Sequence, residues 1–132
     1  MRSSWDKALL LTRFALEKKA CDLVVLAVSE LTSIADYFII CSGRSDRQVQ
    51  SIAQGLEECS AEKGMKPYAV EGVNRGHWVL MDFSDVIVHV FYEPVREFYD
   101  LDGLWGHAPR VELPEDVSKL VDQFRLAHEQ FT

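Results

Sequence analysis

Two carboxylates, Asp82 and Asp85, flank Phe83 and Ser84 in the stretch MDFSDV. Acids at this spacing can share a cation or divide acid and base work. The same residues also have the make-up of a tight turn, because Asp and Ser side chains hydrogen-bond their own backbone, and the turn is the favoured reading. His77 and His89 lie on either side of this stretch. Their spacing matches no metal signature, and on a strand His77 alternates away from His89, so no metal site is expected. A second constellation, Gly43–Arg44–Ser45–Asp46, sits where a strand gives way to a helix, a setting in which backbone N–H groups bind anions. A nucleotidyltransferase would follow such a loop with a D-x-D-like pair of metal-binding acids. Here the chain continues QVQSIAQGLEEC, without that pair. The favoured reading is a capped helix start. A divergent nucleotidyltransferase-like enzyme using the Gly43–Ser45 loop is carried as the alternative function. Neither GxxxxGK, GxGxxG nor G-x-S-x-G occurs, and no RNA-recognition aromatic motif is embedded in basic residues. No catalytic residue and no cofactor are expected.

The elements that position these residues follow from hydrophobic period. Residues 4–19 read as a helix capped by Ser4, with Lys18 and Lys19 at its negative end. LVVLAV (23–28) and YFIIC (37–41) are buried strands by length and β-branching. Ser45 and Gln48 have capping-box spacing ahead of the stripe Val49, Ile52, Ala53, Leu56 and Cys59, and Gly64 with Pro67 ends that helix. Residues 68–71 form a short strand. Two strongly apolar runs, 77–83 and 85–92, make an antiparallel hairpin. Pro94 opens a short helix to Asp100, residues 101–109 are irregular, and residues 115–131 form a last helix with the stripe Val117, Leu120, Val121, Phe124, Ala127 and Phe131. The expected fold is α/β, a single domain of residues 1–132 whose mixed, about five-stranded sheet is flanked by helices. Its core spans about 5–105, followed by a helical extension at about 113–131. That last helix either caps its own domain or exchanges into a dimer.

The hairpin has two unlike faces. Pairing centred between Phe83 and Ser84 sets Trp78 opposite His89 and Leu80 opposite Ile87. Val79, Met81, Val86, Val88 and Val90 fall on the other face, which is wholly aliphatic and suited to packing on helices. Trp78, Leu80, His89 and Phe91 make the mixed face. It is either core or a partner surface, and composition alone favours core.

The 132 residues are 48% hydrophobic and 27% charged, an ordinary globular composition for one domain. A net charge of −7 disfavours contact with a nucleic-acid backbone and suits a basic protein partner. Three widely spaced cysteines, Cys21, Cys41 and Cys59, form no CxxC pair and are read as small buried hydrophobes in a reducing cytoplasm. The N-terminal residues mix acids with bases and lack a signal-type core, and no run has the length to span a membrane. Between Glu93 and Asp116, seven acids and two arginines surround Phe98, Tyr99, Leu101, Leu104 and Trp105. Exposed aromatics among acids suit docking to a basic surface; folded back on the sheet, the same residues are core.

The segments ADYFIICSGRSDRQVQSIA, EG followed by HWVLMDFSDVIVHVF, and REFYDLDGLW together resemble the ribosomal silencing factor family, also called iojap, over residues 35–105. The resemblance implies a small α/β protein, often a homodimer, with a nucleotidyltransferase-like fold lacking the catalytic acids. It further implies binding to large-subunit ribosomal protein fourteen on the face that meets the small subunit, which would block subunit joining and repress translation. Trp78, Asp82, Asp85, His89 and Phe91 match the family's central pattern, and Arg96, Tyr99, Leu104 and Trp105 its R-x-x-Y…LW segment. With Leu80 added from the same sheet face and Asp100 from the acidic-aromatic stretch, the expected partner-binding residues are Trp78, Leu80, Arg96, Tyr99, Asp100, Leu104 and Trp105. Ser84 departs from the Gly usual in the family, which argues against a turn with positive φ there.

Overall fold

The structure, a computed structural model, describes residues 2–126. Its elements run α1 (Ser4–Glu17), β1 (Cys21–Ala27), β2 (Tyr37–Gly43), α2 (Asp46–Glu62), β3 (Ala69–Glu71), β4 (Trp78–Asp82), β5 (Val86–Tyr92), α3 (Glu93–Tyr99), α4 (Leu101–Leu104) and α5 (Glu115–Gln123). The five strands form one sheet in the order β1-β2-β5-β4-β3. β2 and β5 run parallel and every other neighbouring pair is antiparallel, so the sheet is mixed, as the hairpin required. No helix among the described residues is long and apolar enough to cross a membrane.

Two cores sit on the two faces. The larger lies under α1, α2 and α5, and there Val79, Met81, Val86, Val88 and Val90 are fully buried against Leu11, Ile52, Leu56, Val117 and Val121. Each such aliphatic side chain contributes about 1.5–3 kcal/mol on leaving water. This face holds most of the fold's apolar burial. The smaller core joins Leu26, Phe38, Ile40, Ile87 and Phe91 of the sheet to Leu101 of α4 and to Ala108.

The hairpin register differs from the expectation. Trp78 pairs with Phe91, Leu80 with His89 and Asp82 with Ile87. Phe83 and Val86 close the turn, the Phe83 amide donating to the Val86 carbonyl at 2.9 Å, which leaves Ser84 and Asp85 at the tip. Ser84 adopts φ +79 although it is not glycine. Its amide donates to Asp82 Oδ1 at 2.8 Å, one local compensation for the left-handed backbone. A shift of two residues preserves the alternation, so both faces keep the side chains assigned to them.

Two further boundaries are corrected. Ser3, not Ser4, caps α1 by accepting from the Asp6 amide. Ser4 instead sits between the carboxylates of Asp36 and Asp85, and Lys7 pairs with Asp85, which clasps α1 to the hairpin tip. The last helix ends at Gln123 rather than 131. There the Phe124 carbonyl accepts from the Asp22 amide and the Leu126 amide donates to the Asp22 carboxylate, turning the chain toward the start of β1. Ala127 and Phe131 lie outside the described residues. Within this chain α5 packs Val117 and Val121 into the main core.

The two sheet edges differ. Residues 109–111 run along β1, with Ala27 N–H donating to Pro109 and Val111 N–H donating to Val25 at 2.9 and 2.8 Å. β3, three residues long and largely exposed, lies at the opposite edge.

Candidate functional site

The mixed face of the hairpin carries Trp78, Leu80, His89 and Phe91. β4 presents Trp78 and Leu80, both half-buried, while His89 and Phe91 of β5 are buried beside them. The chain leaves β5 directly into α3, with Pro94 in the first turn as the sequence predicts. α3 stops at Asp100, whose backbone is left-handed at φ +49. The Asp100 carboxylate then accepts from the Gly103 amide and caps α4. A Cβ on residue 103 would run into that carboxylate, so the sharp corner between the helices needs glycine there. The corner sends Leu101 and Trp105 inward, Trp105 standing edge-on to Phe38 at 4.8 Å. It leaves Phe98, Tyr99 and Leu104 outward, 80%, 56% and 75% exposed.

These side chains meet across the elements. The Trp78 ring lies 4.8 Å from Phe91 and 5.1 Å from Tyr99, and Tyr99 lies 5.1 Å from Phe98. Between the 72–77 loop and α3, Trp78, Phe98 and Tyr99 line an open cavity of about 440 Å³, with Arg75 and His77 at one wall and Pro94 and Val95 at the other. Arg75 carries no motif in the sequence, and His77 figures there only as a rejected metal ligand; both line this cavity from the loop leading into Trp78, three and one residues upstream.

Of the seven expected contact residues, Trp78 and Tyr99 meet directly, Leu80 shares the strand face of Trp78, Leu104 is exposed on α4, and Trp105 packs inward on Phe38. Asp100 is exposed but serves as the corner cap. Arg96 is turned inward and 8% exposed. Its guanidinium grips both Asp102 oxygens at 3.0 and 2.8 Å and donates to the Ser42 hydroxyl and the Asp22 carbonyl, each at 2.9 Å. It therefore acts on the face through α3 and α4, by fixing them to β1 and β2. Burial pushes the Asp102 carboxyl up, but hydrogen bonds and charge from Arg96 outweigh it and hold it below the usual range.

His89 accepts the indole N–H of Trp78 at Nδ1, 3.2 Å away. Burial depresses its pKa to about 4, against a weaker opposing pull from Asp102, so the ring is neutral at pH 7.

The groups first weighed for catalysis do not converge. Asp82 binds the turn, while Asp85 pairs with Lys7. In the Gly43–Ser45 loop, the Arg44 amide donates to Gln48, the Gln48 amide to Ser45, and the Val49 amide to the Ser45 carbonyl. The Arg44 and Gln48 amides are thus used in capping α2, as the spacing of Ser45 and Gln48 predicts. Among the described residues, no group of three or more His, Cys, Asp and Glu is placed to hold a metal ion.

Comparison with known proteins adds the following. A family model described as "Ribosomal silencing factor during starvation" matches residues 2–130. The chain is 44% identical over 102 residues to a ribosomal silencing factor from Halalkalibacterium halodurans, covering 77% of this chain and 87% of that one. A crystal structure of a protein from Chromobacterium violaceum superposes with a TM-score of 0.78 at 32% identity, covering 86% of this chain and 92% of the other. A mouse protein named mitochondrial assembly of ribosomal large subunit protein 1 is 28% identical over 95 residues, covering 67% of this chain and 40% of that protein.

Proposed function

This chain belongs to the ribosomal silencing factor family, and we propose that it represses translation by docking on the large ribosomal subunit through ribosomal protein fourteen. A domain of this size seated on the intersubunit face sterically blocks joining of the small subunit. One observation carries the docking surface: Trp78, Tyr99 and Phe98 form a contiguous aromatic patch, with Leu104 exposed on the next helix, on a chain of net charge −7. Buried aromatic anchors dominate binding energy at protein interfaces, and acidic surroundings favour a basic ribosomal protein over the phosphate backbone beside it. Leu80 and Trp105 back the patch, and Arg96 and Asp100 hold its shape. Off the ribosome the chain is a homodimer, and its site of action is the cytoplasm, where it would meet subunits.

Co-sedimentation with separated large and small subunits tests this reading. Wild type is expected to travel with large subunits only and to suppress joining when small subunits are added. Tyr99→Ala combined with Leu104→Arg alters only exposed side chains. It is expected to keep the fold and weaken binding by about 30-fold or more, the worth of one interface hot spot. Unchanged binding by this variant, or absence of wild type from the large-subunit fraction, would overturn the proposal.

A further inference from the structure

We infer that His89 is a positioning residue whose Nδ1 selects the orientation of the Trp78 indole on the docking face. The inference rests on the reading of Trp78 as an anchor, and its structural half is testable without any ribosome.

Leu80, not Trp78, stands directly opposite His89. Trp78 is the diagonal neighbour, a separation that long aromatic side chains bridge. Ring contacts with Phe91 and Tyr99 restrict the plane of the indole. They do not distinguish its two edges, because a ring flipped in its own plane offers Phe91 and Tyr99 similar apolar surface. The hydrogen bond from Nε1 to His89 Nδ1 makes that distinction: the N–H edge is drawn toward β5, and the benzene edge is left for a partner.

The imidazole is an expensive way to fill its site. His89 is 5% exposed in the core that holds Phe38, Ile40 and Phe91. With Nδ1 accepting, the proton sits on Nε2. Nε2 is buried and has no hydrogen-bond partner among the described residues. An unpaired buried donor is destabilising, whereas a hydrocarbon ring of similar volume would leave nothing unpaired on its own side chain. Folding alone therefore favours an apolar residue here. What histidine adds is the acceptor for Trp78.

The test begins with the wild-type protein. Nitrogen-15 spectra at pH 7 are expected to show His89 as the Nε2–H tautomer and the Trp78 indole proton slow to exchange with water. His89→Phe keeps a planar aromatic ring, slightly larger, and removes the acceptor. It is expected to fold cooperatively, to exchange the indole proton at least tenfold faster, and to bind large subunits about fivefold to tenfold more weakly, the worth of one hydrogen bond. His89→Asn returns an acceptor near the Nδ1 position and is expected to recover slow exchange and part of the affinity. An Nδ1–H tautomer in wild type would overturn the inference, even if the phenylalanine variant failed to fold. So would a folded His89→Phe with wild-type indole exchange and affinity. Slow exchange in a wild type that does not bind large subunits would instead sink the docking proposal and leave the Trp78–His89 geometry standing.

Discussion

Arg96 and Asp102, six residues apart, form a two-pronged ion pair that ties α3 to α4 while a third arm of the guanidinium reaches Asp22 and Ser42. The pair is largely buried, and its loss would leave a desolvated charge without a partner. Arg96→Ala is therefore expected to lower unfolding free energy by about 3 kcal/mol in urea titration. Arg96→Lys should recover little, because an ammonium cannot make the fork. Amide exchange should quicken first in α3 and α4, while β5 stays protected; equal quickening throughout would count against this division.

Acid sensitivity follows from His89. In the unfolded chain it takes up a proton near its ordinary value of 6.5, and in the folded chain only near 4. Between those values the unfolded state binds more protons, so stability falls as pH falls and the loss is complete below about 4. The size of this step is on the order of 3 kcal/mol. Asp85 and Asp102, both held below the usual carboxylate range, add losses in the same direction at lower pH. In His89→Phe the step between 6.5 and 4 should disappear from a series of urea melts while the lower one remains.

The hairpin tip predicts a stabilising substitution. Ser84 holds φ +79, which costs an L-residue roughly 1–2 kcal/mol. Ser84→Gly removes that cost but loosens the unfolded chain. The net expectation is a gain of about 0.5–1 kcal/mol by thermal or chemical melting, with the Asp82 bond to the residue 84 amide retained. A destabilised variant would mean that the serine side chain has a role beyond the turn.

Thiol chemistry should be selective. Burial pushes the Cys41 thiol up to about 12 and also raises that of Cys21, and both side chains are enclosed. Cys59, on α2, is half-buried and the least enclosed of the three, although burial and the nearby Glu17 and Glu62 charges raise its thiol as well. Alkylation of the native protein near pH 8 is expected to mark Cys59 alone, and denaturant should release the other two. Native-state labelling of Cys41 would contradict its placement in β2.

The long elements and both sheet faces were legible in the sequence because each depends on a local period. Val79, Met81, Val86, Val88 and Val90 alternate, and the alternation survived a register error of two residues. The register itself was not legible: it turned on Ser84 accepting a conformation that residue type disfavours. The end of α5 was missed for a related reason. Its apolar stripe runs on past Gln123 with no glycine or proline, and the stop comes from two hydrogen bonds to Asp22, about 100 residues earlier. Arg96 was assigned to the docking face because it shares a segment with Tyr99 and Trp105. Its partners at positions 22 and 42 are tertiary, and no spacing rule reaches them.

The unequal sheet edges limit how copies of this chain can join. Residues 109–111 already occupy the open side of β1, while among the described residues β3 has only β4 beside it. In the language of polymer chemistry the sheet is monofunctional. A second copy meeting β3 by strand addition would satisfy that edge and leave no other for a third. Association by this route closes at two copies and cannot propagate into a fibre.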